Sequence, residues 1–373
     1  MIKVLGKRVC VLPPMNDNVR NGEGDLIRLP DGRIMYAYSE YIGGSVHDHA
    51  ASQISAVFSS DEGESFGNYH VLLPMDEKIV NRMCVSLLSM QNGEIGLFYG
   101  EKFKNSTGRI GMRVMLTRTR DGVTFSAPVN CTGNEEYFVK ENARVIRLST
   151  GRILLPLNYH PFKDGTHAGV DSHGISIFYY SDDDGKTFKK SAAALENPCE
   201  NLESGLQETG VIEIEGGRIL AFHRTNGGCQ YVSISEDGGE SFSKPLPCPY
   251  FTSPQSPMHM RHFGEKTIAV WNPTPLMPHN HGCARIHAGG KDRTPLLAAI
   301  VEGKGDAFIV NAPANVPAKV FLLEDDPDNV YCYPTTFVGK DYLLCAYYHS
   351  YDTENVLSAT VIKKVMLSEM EEA

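Results

Sequence analysis

The 373-residue chain has one tryptophan, no Cys-x-x-Cys pair, no Trp-Asp dipeptide and no run of five or more basic residues. Nor does any apolar stretch approach the ~18–20 residues needed to span a bilayer. Each absence excludes something. Nine cysteines, odd in number and scattered, make neither a disulfide framework nor a paired metal site, so a reduced, cytoplasmic setting is expected with cysteines serving as small hydrophobes. Lys and Arg total 35 against 45 Asp and Glu, a net charge of −10. Without a basic footprint, nucleic acid and anionic membrane surfaces are not expected partners. The missing Trp-Asp dipeptide disfavours a WD40 scaffold. Residues 1–12 alternate in polarity and carry Lys3, Lys7 and Arg8 where a signal peptide needs an unbroken apolar core, so they read as a strand.

What the chain does have is 35 glycines, several of which mark a repeat. A short polar turn followed by an apolar run recurs around Gly32, Gly93, Gly151, Gly216-Gly217, Gly264 and Gly339, about 61 residues apart on average. Each looks like a β-hairpin turn, because Asp-Gly, Asn-Gly and Gly-Gly accept the positive φ of a tight hairpin and β-formers flank them. A second signature follows in four of the units: Ser59-x-Asp61-x-Gly63-x-Ser65-Phe66, Ser181-x-Asp183-x-Gly185-x-Thr187-Phe188, Ser235-x-Asp237-x-Gly239-x-Ser241-Phe242 and the shorter Thr119-x-Asp121-Gly122-x-Thr124-Phe125. Hydroxyl and carboxylate side chains can satisfy the turn's backbone N–H groups there. A degenerate copy occupies the region from Val301 to Phe308.

Two hairpin turns per unit mean four strands, and six four-stranded units make an all-β, six-bladed propeller that fills residues 1–373 as one domain. The first strand, Ile2 to Leu12, is expected to pair with the last, Val356 to Leu367, closing the ring. The Ser-x-Asp-x-Gly-x-Ser/Thr-Phe turns resemble the Asp-box, or BNR repeat, of the sialidase (neuraminidase) superfamily, with Phe in place of the more usual Trp.

Both turn types fall on one face, so the loops between strands B and C, and the starts of the inner A strands, define the other. Arg20 and the His47-Asp48-His49 loop of blade one, Glu208 and Arg224 of blade four, Arg293 of blade five, and Tyr331 and Tyr333 of blade six all map there. Three arginines from separate blades suit a carboxylate, since guanidinium forks pair with it bidentately and stay charged.

Carried over from the sialidases, the resemblance implies carboxylate binding by Arg20, Arg224 and Arg293, a Tyr333 nucleophile assisted by Glu208, and Asp48 as acid/base. Tyr331 competes for the nucleophile role on the same strand face, and the family's Arg-Ile-Pro is here Arg20-Asn21-Gly22. Arg144 and Asn142 are second-rank pocket candidates. Arg28, four residues before its turn glycine, reads as structural, His160 as a rim residue, and Trp271, Met258 and Met260 as packing. His47, His49, His279 and His281 lack a third spaced ligand, so no metal and no cofactor is expected. The implied activity is an exo-acting glycosidase that removes sialic acid or a related acidic sugar, with a small glycan as partner. A propeller acting on another glycan, or a non-catalytic glycan-binding or scaffold propeller, is the alternative.

Overall fold

The computed structural model describes residues 3–166, 169–274, 293–305, 319–350 and 357–372. Six antiparallel four-stranded sheets follow one another around a ring. The innermost A strands are Asn18–Arg28, Asn81–Ser89, a split pair (Phe138–Val139 and Ile146–Arg147), Gln207–Glu213, His259–Phe263 and Tyr331–Val338. In blade six the sheet is completed from the other end of the chain, because Lys7–Leu12 pairs antiparallel with Ala359–Met366. No described helix is long and apolar enough to cross a membrane.

The core lies between blades rather than inside one. Leu29, Met35, Ile54 and Phe58 of blade one pack on Val85, Leu87, Leu97 and Met115 of blade two. Equivalent apolar clusters join each later pair, the last one sealing blade six to blade one through Leu344, Ile362, Ile34 and Tyr36. A four-stranded sheet buries both faces only when it has a neighbour on each side, which is why the ring must close.

In each full Asp-box the aspartate gathers its own turn. Ser65 N and Oγ donate to Asp61 at 3.0 and 2.6 Å, and Ser59 Oγ donates to Asp61 at 2.7 Å while accepting Gly63 N at 2.9 Å. The turns at Asp183 and Asp237 repeat this geometry. Gly63 has φ 77°, and a Cβ on it would meet the Leu344 side chain of the preceding blade at 2.9 Å, so both backbone conformation and space demand glycine. The sixth A–B turn differs from expectation. Gly339 is not left-handed, and glycine is needed because a Cβ would run into the Tyr342 ring. The degenerate Asp-box at 301–308 lies partly outside the described residues.

Candidate active site

Regular pairing would send alternate A-strand side chains into the inter-blade cores, yet four A strands break register. The shifts fall between Gly22 and Asp25, Met83 and Ser86, Gln207 and Gly210, and Cys332 and Thr335. Each bulge holds one non-glycine residue at positive φ: Glu23 (52°), Cys84 (58°), Glu208 (46°) and Tyr333 (55°), with Ala143 (54°) at the matching place in blade three. Such residues cost about 1–2 kcal/mol apiece and turn their side chains out of the ladder. The A strand of blade five, His259–Phe263, pairs without a shift.

Two of these bulges meet. Tyr333 Oη of blade six donates to Glu208 Oε1 of blade four at 3.1 Å, although blade five stands between them on the ring. Contact of that kind is possible only near the axis. Arg224 Nη1 donates to the same Glu208 oxygen and to Tyr333 Oη at 3.3 Å. Arg293 stacks over the Tyr333 ring with its guanidinium carbon 5.5 Å from the centroid, and it is anchored by Nη2 donating to Gln255 O at 3.0 Å and Nη1 to Cys332 Sγ at 3.4 Å. Asp48, Glu208, Arg224, Arg293 and Tyr333 all line one cavity of about 640 Å³, with Tyr137, His160, Gln207 and Gln255 on its walls. Two buried polar atoms there make no hydrogen bond within the protein, Glu208 Oε2 and Arg224 Nε.

Arg20 does not line that cavity. It is 2% exposed, sandwiched 4.3 Å from the Tyr41 ring centroid and 5.4 Å from that of Tyr348, and its donors are spent on Tyr348 Oη (2.8 Å), Val46 O (2.9 Å), Asp48 Oδ1 (2.6 Å) and Glu23 Oε1. The expected trio of arginines around one ligand therefore becomes a facing pair, Arg224 and Arg293, with Arg20 behind Asp48. A carboxylate partner three residues along its own bulged strand is the physical reason.

Three other candidates are also placed away from the cavity wall. Tyr331 shares no face with Tyr333, because the bulge interrupts the two-residue period. It is fully buried against Tyr347 and His349 in the core between blades five and six. Asn142 lies beneath the site, its Nδ2 donating to Gly24 O at 2.9 Å and to Tyr333 O at 3.4 Å. Arg144 stacks on Phe222 and donates to Met258 O at 2.6 Å. Both brace the floor of the site. Arg28 is on the opposite face, paired with Glu62 of its own blade's Asp-box at 2.6 Å. His279 and His281 lie outside the described residues.

Electrostatics separates the titratable groups. Burial and the Glu208 charge hold the Tyr333 phenol well above its ordinary pKa, opposed by Arg224 and Arg293, so it is neutral as found. Crowding by protein atoms would raise the Asp48 carboxyl, but the Arg20 and Lys102 charges outweigh it and keep the group well below the usual carboxylate range. Burial lowers His160, which stands edge-on to Tyr137.

Sequence reasoning missed Glu23, Lys102 and Tyr137. Glu23 carried a usable signal, since it precedes its turn glycine by nine residues, as Glu208 precedes Gly217. Lys102 is 2% exposed and donates to Asp48 O at 2.6 Å, and standing among Glu101 and Lys104 at the end of its B strand it had nothing in the sequence to set it apart. Tyr137 comes from a connecting segment with no periodicity to read.

Several solved structures share this architecture. The leech intramolecular trans-sialidase complexed with 2,7-anhydro-Neu5Ac aligns with TM-score 0.73 and 13% identity over 100% of this chain and 72% of that one. The intramolecular trans-sialidase of Ruminococcus gnavus, in complex with oseltamivir carboxylate, aligns with TM-score 0.70 and 13% identity over 94% of this chain and 95% of that one. A protein of unknown function from Dyadobacter fermentans aligns with TM-score 0.69 and 18% identity over 96% and 99%. Likeness at such identities is one of fold. Among curated proteins none matches the sequence. Residues 74–345 match the family model described as BNR repeat-like domain, and with most of the propeller covered by that match, the chain belongs to the BNR repeat-like family.

Proposed function

We propose that this propeller is an exo-acting glycosidase of the sialidase type, which releases a terminal sialic acid or a related acidic sugar with retention of configuration. The observation that carries this reading is the Tyr333–Glu208–Arg224 cluster on the cavity floor, built from two strained bulges on non-adjacent blades.

The chemistry follows from charge. An anomeric carbon that bears a carboxylate repels an anionic nucleophile, whereas a neutral phenol develops charge only as its bond forms. Tyr333 attacks that carbon and passes its proton to Glu208, already its hydrogen-bond acceptor. Arg224 and Arg293 hold the substrate carboxylate, and the unpartnered Arg224 Nε supplies a donor for it. The glycosidic electron pair leaves with the bridging oxygen, which takes a proton from Asp48. Water then attacks the anomeric carbon and gives a proton to Asp48, while the bond from that carbon to Tyr333 Oη breaks and the phenolate takes back its proton from Glu208. Because Arg20 and Lys102 favour ionised Asp48 in the free protein, a bound substrate carboxylate nearby must raise it, and activity is expected to be highest at acid pH. A cytoplasmic setting makes the substrate an imported or internally released glycoside.

The test is covalent trapping. Incubation with 2,3-difluorosialic acid should add one sugar mass to the protein, mapped by peptide mass spectrometry to Tyr333, and Tyr333→Phe should abolish both the adduct and turnover of a fluorogenic sialoside. Absence of adduct and turnover in the wild-type protein refutes the hydrolase reading. Retained sialic acid binding in that case would identify a glycan-binding propeller.

A further inference from the structure

A cavity of about 580 Å³ lies on the propeller axis toward the face that carries the Asp-boxes, and all six blades contribute to its wall. It shares no wall residue with the cavity around Tyr333. Volumes of roughly 300–1,000 Å³ are those of small-ligand sites. Each innermost strand pairs on one side only, so the open edges of six strands run along this lower cavity. Leu26, Leu87, Val145, Val211 and Phe337 make much of the remaining wall apolar.

Its charged residues are mostly cations. Arg28, Arg147 and Arg261 come from blades one, three and five, a third of a turn apart around the ring. The carboxylates that pair with them, Glu62 and Asp184 at 2.6 Å and Asp25 at 3.3 Å, do not belong to the wall. Arg261 is the least committed of the three. Its Nη1 donates to Thr336 O and its Nη2 to Asp25, which leaves Nε and one hydrogen on each terminal nitrogen for another acceptor. Deeper in the wall His259 is 1% exposed, with Nε2 3.1 Å from Thr336 Oγ1 and no hydrogen bond at Nδ1. With the Thr336 hydroxyl donating to Nε2, the ring hydrogen sits on Nδ1 as a buried donor with no protein acceptor, a group costly to leave unpaired. Burial and the Arg261 and Arg144 charges keep that ring neutral. Glu213 is the one acidic side chain in the wall, and Ser149 N and Oγ already donate to it at 2.7 and 2.6 Å.

We infer that the lower axial cavity is a second anion site, which takes a phosphoryl group either as inorganic phosphate or as a small phosphate ester, with Arg147 and Arg261 supplying charge and His259 Nδ1 a neutral donor. Guanidinium groups arriving from separate directions suit a tetrahedral anion with several acceptor oxygens, whereas a carboxylate presents a single plane to one fork. The apolar part of the wall leaves room for the organic portion of an ester.

Isothermal titration calorimetry of the full chain in phosphate-free buffer tests this, with inorganic phosphate and glucose 6-phosphate as probes. At least one probe should bind. Arg147→Gln and Arg261→Gln should each weaken that binding about fivefold or more, whereas Arg293→Gln, in the cavity on the other face, should leave it within about twofold. Glu213→Gln removes the acidic wall residue and should tighten binding about twofold or more, a gain that misfolding does not produce. Binding of phosphate alone identifies the free ion as the occupant, and tighter binding of glucose 6-phosphate identifies an ester. Failure of both probes to bind overturns the inference, as does binding that Arg293→Gln abolishes and the lower-cavity variants leave unchanged. Sialoside turnover enters none of these outcomes.

Discussion

Replacing Arg20 by Met tests the claim that this guanidinium is consumed by the protein itself. Arg20 and Glu23 are 2% and 4% exposed and form an ion pair within one bulged strand. Removing the cation strands the Glu23 carboxylate with Cys84 Sγ, 3.4 Å away, as its remaining side-chain partner. Breaking a buried pair from one side costs about 3–5 kcal/mol, because an uncompensated charge stays out of water. Glu23→Gln should cost less, about 1–3 kcal/mol, since Arg20 keeps Asp48, Tyr348 and Val46. In the double variant neither charge is stranded, so its destabilisation should fall short of the sum of the singles by about 1–3 kcal/mol. Equilibrium urea unfolding reads all three, with Trp271, the only tryptophan and buried in blade five, as one probe and far-UV circular dichroism as the other. Coincident transitions justify the free-energy comparison. Additive effects, or a cost below about 1 kcal/mol for Arg20→Met, would refute the reasoning and return Arg20 to the ligand.

Two further outcomes concern stability. His223 is fully buried, its Nδ1 3.0 Å from both Ser176 Oγ and Thr209 Oγ1 and its Nε2 3.1 Å from Ser233 Oγ, and burial pushes its pKa from 6.5 down to about 3. The unfolded chain therefore takes up this proton first. The stability contribution is complete above about pH 6.5 and is lost as pH falls toward 3, by up to about 4–5 kcal/mol. Urea midpoints between pH 7.5 and 4 should fall less steeply in His223→Gln, and an unchanged slope would count against the neutral buried imidazole. Asp183→Ala removes the acceptor for Ser181 Oγ, Lys186 N and both donors of Thr187. It should cost about 1–3 kcal/mol in urea unfolding while sialoside turnover changes less than twofold, because the Asp-box lies on the face away from the cavity; a large loss of turnover would contradict that placement.

Acid lability has a second source in the same turns. Hydrogen bonding from Ser65, resisted by partial burial, lowers the Asp61 carboxyl to about 2. A depressed carboxylate contributes its stability above the unfolded pKa and loses it as pH falls through the folded one. Both the histidine and the aspartates thus make the ring weaker in acid, the range where the proposed acid/base step is expected to be fastest.

The propeller itself was legible because its determinants are local. A Gly turn, an Asp-box and short β-forming runs each act within about ten residues, and six repetitions specify six blades. The same reasoning placed Glu208, Arg224, Arg293, Asp48 and Tyr333 on one face, where the structure gathers them around one cavity. It failed where the backbone departs from its period. A two-residue alternation puts Tyr331 and Tyr333 on the same side, and only the bulge between Cys332 and Thr335 separates them, sending one into the core and the other to the axis.

Sequence alone determined the repeat, the blade count and the face that carries polar chemistry, since these follow from turn residues and β propensity over short spans. Tertiary structure decided which charges neutralise one another. Arg20 is taken by Glu23 and Asp48, Arg109 by Asp164, and Arg224 reaches Tyr333 across the axis. Such pairings depend on distances of a few ångströms between residues that lie from three to 109 positions apart, and spacing along the chain does not by itself select them.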